Sequence, residues 1–285
     1  MIGKKIKPRN YRKCPHCHYI HDGGLDICPR CGQRSEGLLL DTRFPNVIQI
    51  HFLKQLFLFL LGWAGISVLA LILNWIYELY AQAAIPSLEI RDAFLHSSET
   101  LMMKNFIIYG SLFIIMLGLL WKDLISVAKS FKTLRTIVQG LSYGGLIIAA
   151  TVAYNLIVMA TGYSYSENQN ETALVSLMLN YPVLSFAAFV IIGPIVEEFT
   201  YRLGLFSFLR RLNRPLAYVV TMLVFGVIHM SFNPATIINE LINLPSYIIA
   251  GVMLTYAYEK EGFAVSTYAH ITNNLVSFLL TITRG

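Results

Sequence analysis

The chain has 285 residues, 55% hydrophobic and only 13% charged, with a mean hydropathy of +0.58. A soluble domain carries about 25% charged residues, so the composition argues against a soluble globular protein and for an integral membrane one. The formal net charge of +6 is unevenly spread: nine Lys/Arg precede His51 and most others flank apolar runs, which reads as membrane orientation and not as a nucleic-acid surface.

Residues 1–45 form a polar unit that holds all four cysteines, as Cys14-Pro-His-Cys17 and Cys28-Pro-Arg-Cys31. Two C-x-x-C pairs about ten residues apart can set four thiolates tetrahedrally around one Zn²⁺, and so short a segment folds poorly without such a staple. Two disulfides, free thiols and iron in a rubredoxin-like site are the alternatives. The basic flanks favour the reducing cytoplasmic side and hence structural zinc. The unit resembles a short zinc ribbon. With Cys14, Cys17, Cys28 and Cys31 completing the shell, His16, His18 and His21 read as surface residues. No short apolar stretch follows the basic start MIGKKIKPRN, so a cleavable signal peptide is not expected.

Residues 46–285 read as an all-α polytopic membrane domain. Apolar runs occupy 50–80, 106–121, 137–161, 182–209, 216–230, 241–258 and 263–282, giving about seven transmembrane helices at about 20 residues per crossing. The basic stretches 1–45, 122–135 (Lys122, Lys129, Lys132, Arg135) and 210–214 belong inside; 81–98, 163–173 and 231–238 belong outside. The expected topology is N-terminus cytoplasmic, C-terminus outside, in a cell membrane.

The run 182–209 contains Glu197, Glu198 and Arg202, and a charged side chain at bilayer depth costs at least about 2.5 kcal/mol. Counted from the 210–214 interface, Glu197 and His229 lie roughly 20 Å and 22 Å deep at helical rise; counted from Lys260, His270 and Asn274 lie roughly 15–21 Å deep. Three helices thus bring Glu, His, His and Asn to one depth. Glu198 and Arg202, four apart, can pair on one face, whereas Glu197 is rotated about 100° away and lacks that partner. Phe225 and His229 share a face, as do His270 and Asn274. Gly193-Pro194 is expected to kink or loosen the helix beside the pair. Asn239, Glu240 and Asn243 read as interfacial polar residues.

These residues carry a resemblance. Glu197-Glu198-x-x-x-Arg202, Phe225-x-x-x-His229 and His270-x-x-x-Asn274 resemble the signature of the CAAX-protease and bacteriocin-processing family. This family of intramembrane glutamic endopeptidases is also called Abi and includes the eukaryotic prenyl-protein protease Rce. The likeness covers the core 182–282; the zinc ribbon is absent from eukaryotic members and reads as a bacterial accessory. By resemblance, Glu197 is the base that activates water, His229 holds that water, and His270 and Asn274 donate to the oxyanion. Glu198, Arg202 and Phe225 support them.

Amide hydrolysis needs a base, a water and oxyanion donors, and this set supplies them. No H-E-x-x-H, G-x-S-x-G or intramembrane Asp pair is present to support a zincin, serine or aspartyl mechanism. The family is metal-independent, so no cofactor is expected at the site; a divalent ion held by Glu197, Glu198, His229 and His270 is the alternative.

The expected substrate is a membrane-tethered peptide or protein cut in the cytoplasmic half of the bilayer, with no nucleic-acid partner. The ribbon either recruits a cytoplasmic substrate or partner or simply caps the first span. A non-catalytic immunity or scaffold protein of the same fold, and a proton-relay transporter, are the competing functions; the transporter predicts inverted repeats, and none is found.

Overall fold

The computed structural model describes residues 11–14, 16–17, 20–22, 27–33, 39–40, 50–123, 128, 131–163, 166 and 168–284. His18, Lys129 and the side chain of His21 lie outside the described residues. The chain divides into two units, Met1–Val47 and Ile48–Gly285.

In the first unit, strand β1 (Tyr11–Lys13) pairs antiparallel with β2 (Ile20–Asp22) and with β3 (Leu39–Leu40), giving the order β2-β1-β3. The second cysteine pair closes a tight turn. Gly32 N–H reaches the Cys28 carbonyl and Cys28 N–H reaches the Gln33 carbonyl, each at 2.9 Å. Gly32 makes that turn with φ +70°, a left-handed conformation in which glycine carries no Cβ penalty.

The described part of the second unit is helical, as a chain in lipid must be when its backbone polar groups have no water to satisfy them. All seven apolar runs fold as helices, but five of the described helices are long and apolar enough to span: Phe52–Ala84, Ser98–Leu119, Leu134–Ala160, Pro182–Arg210 and Ile237–Glu261. The other two runs fall short of that for different reasons. Arg214–Val227 has 14 residues, about 21 Å of helix against about 30 Å of hydrocarbon. Phe263–Arg284 has 22 residues, but Ser266, Thr267, His270, Asn273 and Asn274 dilute its apolar character. Two further helices, Leu88–Leu95 and Gln169–Asn180, are amphipathic connectors that the apolar runs do not show; Ser87 and Asn168 cap them.

The motif helix Pro182–Arg210 sits at the centre. Of its most apolar window 56% is buried, against 11–22% in the other four spans, whose Phe57, Trp63, Leu71, Trp75, Ile114 and Leu156 remain exposed for lipid. Gly193-Pro194 does not break it. The helix instead changes winding: π-helical over Phe186–Ile192, α over Gly193–Glu197 and π again over Glu198–Phe206. Gly193 N–H reaches back to the Ala188 carbonyl. Pro194, with no N–H, leaves the next carbonyl, Phe189, free within that winding.

The last helix, Phe263–Arg284, packs along Leu134–Ala160 through a small-residue stripe not singled out in the sequence, Gly140-x-x-x-Gly144. A Cβ on Gly140 would lie 2.3 Å from Cβ of Tyr268, and one on Gly144 2.6 Å from Cβ of Thr272. Close backbone approach of this kind is how helices associate where lipid removes the hydrophobic drive. It fixes the helix that carries His270 and Asn274.

Candidate active site

Glu197 ends the α segment of the motif helix and Glu198 begins the second π stretch. Glu198 and Arg202 are fully buried and pair, Nη1 to Oε1, at 3.1 Å. The Arg202 guanidinium lies over the Phe225 ring, 4.5 Å from its centroid, where a desolvated cation gains about 2 kcal/mol. Tyr201 meets the same ring edge-on at 5.5 Å. Phe225 thus backs the charged pair from the neighbouring short helix.

His270 stands between the two glutamates. Its Nδ1 is 3.0 Å from Oε1 of Glu198, and its Nε2 is 3.6 Å from Oε2 of Glu197. The first is a hydrogen bond; the second is too long for one but within ion-pair reach. Glu197 is therefore not isolated, in contrast to the expectation of an unpaired carboxylate. Its side chain keeps 14% exposure where Glu198 and Arg202 keep none. Oε2 of Glu197, Oε2 of Glu198 and all three Arg202 side-chain nitrogens are buried without a hydrogen-bond partner from the protein among the described residues. Each such atom in a folded protein calls for an explanation, and catalysis is one of the standing ones.

His229 lies just beyond the end of Arg214–Val227, and its Nδ1 is 2.7 Å from the Phe225 carbonyl. Only a protonated Nδ1 can donate there, so in the neutral ring Nε2 is the acceptor nitrogen. The ring stacks on Tyr247 at 4.6 Å and 15°, and tilts against Phe225 at 4.9 Å. Phe225 also meets His270 edge-on at 5.9 Å. Asn168 binds the His229 backbone carbonyl at 3.2 Å. His229 therefore sits beside segments expected outside, at odds with an expected cut in the cytoplasmic half.

Asn274 docks on the motif helix itself. Its Nδ2 donates to the Phe189 carbonyl at 3.0 Å, the acceptor that Pro194 leaves free, and its Oδ1 accepts from Asn273 at 3.2 Å. One amide hydrogen remains for another acceptor. The Gly193-Pro194 pair thus provides a docking point for the last helix where a kink was expected.

Glu240 and Asn243, read from the sequence as interfacial polar residues, are enclosed by the protein itself. Both are buried, Glu240 accepting from the backbone N–H of Gln169 (2.9 Å) and Ser231 (3.0 Å), and Asn243 donating to the carbonyls of Ser166 (3.0 Å) and Asn239 (2.9 Å). Asn168 and Tyr247 also escaped the sequence reading. Asn168 as a helix cap was the one legible signal.

In the first unit the four sulfurs lie within 4.8 Å of one another, with Cys14–Cys31 at 3.5 Å and Cys17–Cys28 at 3.6 Å. A tetrahedron of Zn–S bonds near 2.3 Å has edges of about 3.8 Å, so the cysteines fit one ion. Among the described residues they are the one group of His, Cys, Asp and Glu whose ligand atoms gather this closely. The Cys14 thiol is lowered to about 6: burial raises it, but hydrogen bonds from backbone N–H groups of Cys17 and His16 and from the Cys31 and Cys17 thiols outweigh burial. The Cys31 thiol is raised to about 12; a backbone hydrogen bond at Gln33 lowers it, and burial with its three sulfur neighbours prevails.

Residues 179–276 match the type II CAAX prenyl endopeptidase Rce1-like family. This segment is Rce1-like. It holds the motif helix from Glu197 to Arg202, His229, and His270 with Asn274. An uncharacterized protein of Mycoplasma capricolum subsp. capricolum is 27% identical over 168 residues, 55% of this chain and 48% of that protein. The UPF0177 protein YaiH of Lactococcus lactis subsp. lactis is 29% identical over 119 residues, 40% of this chain and 46% of that protein. The chain spans about half the length of these curated relatives. No solved structure matches it at a significant level. Five described helices fit to cross a bilayer indicate a membrane protein, whose segment 179–276 is similar to the Rce1-like CAAX endopeptidases.

Proposed function

We propose that this protein is an intramembrane endopeptidase that hydrolyses a peptide bond of a membrane-tethered peptide or protein by glutamate-activated water. The observation that carries the reading is His270, set 3.6 Å from Glu197 and sharing the Phe225 ring as a neighbour with His229. Glu197 keeps access to the site while the Glu198–Arg202 pair behind it is sealed.

In this mechanism Nε2 of His229 holds a water and Glu197 takes its proton as the water attacks the scissile carbonyl carbon. Glu198 accepts the Nδ1–H of His270, so Nε2 of the neutral ring faces Glu197 and receives that proton in turn. The protonated Nε2 and the remaining Asn274 N–H then donate to the oxyanion, and the proton passes to the leaving amine as the C–N bond breaks. Arg202 pairs with Glu198 and is itself held by Phe225. The ribbon is a separate cytoplasmic unit that holds structural zinc and offers a docking surface for a partner. The N-terminus in the cytoplasm of a bacterial cell is part of this reading.

The test compares the membrane peptidome of cells carrying the intact protein with that of cells carrying Glu197→Gln. Products lost in the variant, at equal expression and insertion, support the peptidase. An unchanged peptidome overturns it and leaves the scaffold reading. For the ribbon, metal analysis of purified protein is expected to find one zinc per chain and none in Cys31→Ser. Binding must displace the Cys31 proton, so affinity should fall as pH is lowered.

A further inference from the structure

The His229 ring is fastened by residues outside its own helix. Tyr247, on Ile237–Glu261, stacks on it, and the Tyr247 hydroxyl accepts from Nδ2 of Asn168 at 3.0 Å. The same Asn168 amide donates its second hydrogen to the His229 carbonyl at 3.2 Å. Asn168 is 1% exposed, and its Oδ1 accepts the Glu171 N–H at 2.7 Å as the cap of Gln169–Asn180. Serine or aspartate would cap that helix as well. Asparagine alone among these adds two donors, and both are spent on His229 and its stacking partner. Glu240 makes a second tie between the same two segments, joining the backbone of Gln169 to that of Ser231. Residues 168 and 169 are therefore anchored to the chain at His229 and two residues beyond it.

We infer that Asn168 and Tyr247 are positioning residues for His229. They hold the imidazole in one orientation and one tautomer, with Nδ1–H on the Phe225 carbonyl and Nε2 presented to the site. An imidazole free to turn over puts Cδ2 where Nδ1 was and Cε1 where Nε2 was, which breaks the bond to the Phe225 carbonyl and moves the acceptor nitrogen away. Displacements of about 1 Å at a reacting centre can cost about 100-fold in rate. The inference deepens the peptidase reading and rests on it for the cleavage arm of the test alone.

The experiment uses full-length protein in lipid nanodiscs, labelled with ¹⁵N-histidine, with the His229 signals assigned by their loss in His229→Gln. The wild type is expected to show one protonated Nδ1 and one bare Nε2. Asn168→Ser, which keeps the cap, and Tyr247→Leu, which removes the stack, are expected to give averaged tautomers. Tyr247→Phe keeps the stack and should restore the wild-type pattern.

Cleavage, followed on a product identified in the peptidome, should fall about tenfold in kcat for the first two variants with KM unchanged. Tyr247→Phe should stay within about threefold. Unaltered His229 signals in both Asn168→Ser and Tyr247→Leu overturn the inference. Should Asn168→Ser lose its fold, the Tyr247→Leu and Tyr247→Phe pair, remote from any cap, decides it. Averaged tautomers together with full cleavage by Glu197→Gln would support the positioning role and sink the peptidase reading.

Discussion

Glu259 and Glu198 are both fully buried and both face arginine, yet their surroundings differ in kind. Glu259 accepts from Arg210 at 2.7 Å, from Arg214 at 2.9–3.0 Å through two nitrogens, and from the Tyr218 hydroxyl at 2.7 Å, so both its oxygens are saturated. Among the described residues, Glu198 has one oxygen on Arg202 and His270 and the other without a protein hydrogen bond, and Oε2 of Glu197 beside it also has none. A buried ion pair with every lone pair filled serves structure by locking Ile237–Glu261 to the Arg210–Arg214 turn. Polar atoms left short of partners at the meeting point of three helices are a cost to stability that a reaction can use. Hydrogen-bond saturation, not burial or charge, separates the two clusters.

The contrast can be broken by substitution. Glu198→Gln is expected to have the largest effect. It leaves Arg202 without its paired charge in a dry site, a loss of about 3–5 kcal/mol, and gives His270 a neutral amide oxygen in place of the carboxylate, so thermal unfolding in nanodiscs and cleavage should both collapse. Glu259→Gln should cost less, about 1–3 kcal/mol, because Arg210 and Arg214 retain 17% and 43% exposure and can turn to water. Its cleavage per folded molecule should stay within about twofold, since the substitution leaves the Phe225 cluster intact. An equal loss of cleavage in the two variants would erase the distinction.

Pro194→Ala is the mildest probe. It adds an N–H that competes with Asn274 for the Phe189 carbonyl, so cleavage should fall by less than about tenfold with folding stability kept. Unchanged cleavage would show that Asn274 needs no such anchor.

Much of this arrangement was legible in the sequence because its signals are local. Seven apolar runs announce helices by length and hydropathy, Glu198 and Arg202 pair because they are one turn apart, and two C-x-x-C pairs bring four sulfurs together. What was not legible depends on partners distant in the chain. Nothing near Asn168 or Tyr247 indicates that they meet each other and His229, and nothing near Glu240 indicates that it ties Gln169 to Ser231. Pro194 is read by the usual rule as a kink. The π winding around it depends on packing from Ser98–Leu119 and the last helix, which local spacing does not encode. The stripe at Gly140 and Gly144 was visible as letters but acquired meaning through Tyr268 and Thr272.

The most direct test of the central claim is cleavage by Glu197→Gln, measured per folded molecule beside the wild type in the same bilayer. A loss of at least about 100-fold with an unchanged unfolding midpoint is predicted for a carboxylate that acts as the base. Cleavage at the wild-type rate, or a loss traced wholly to unfolding, would contradict it.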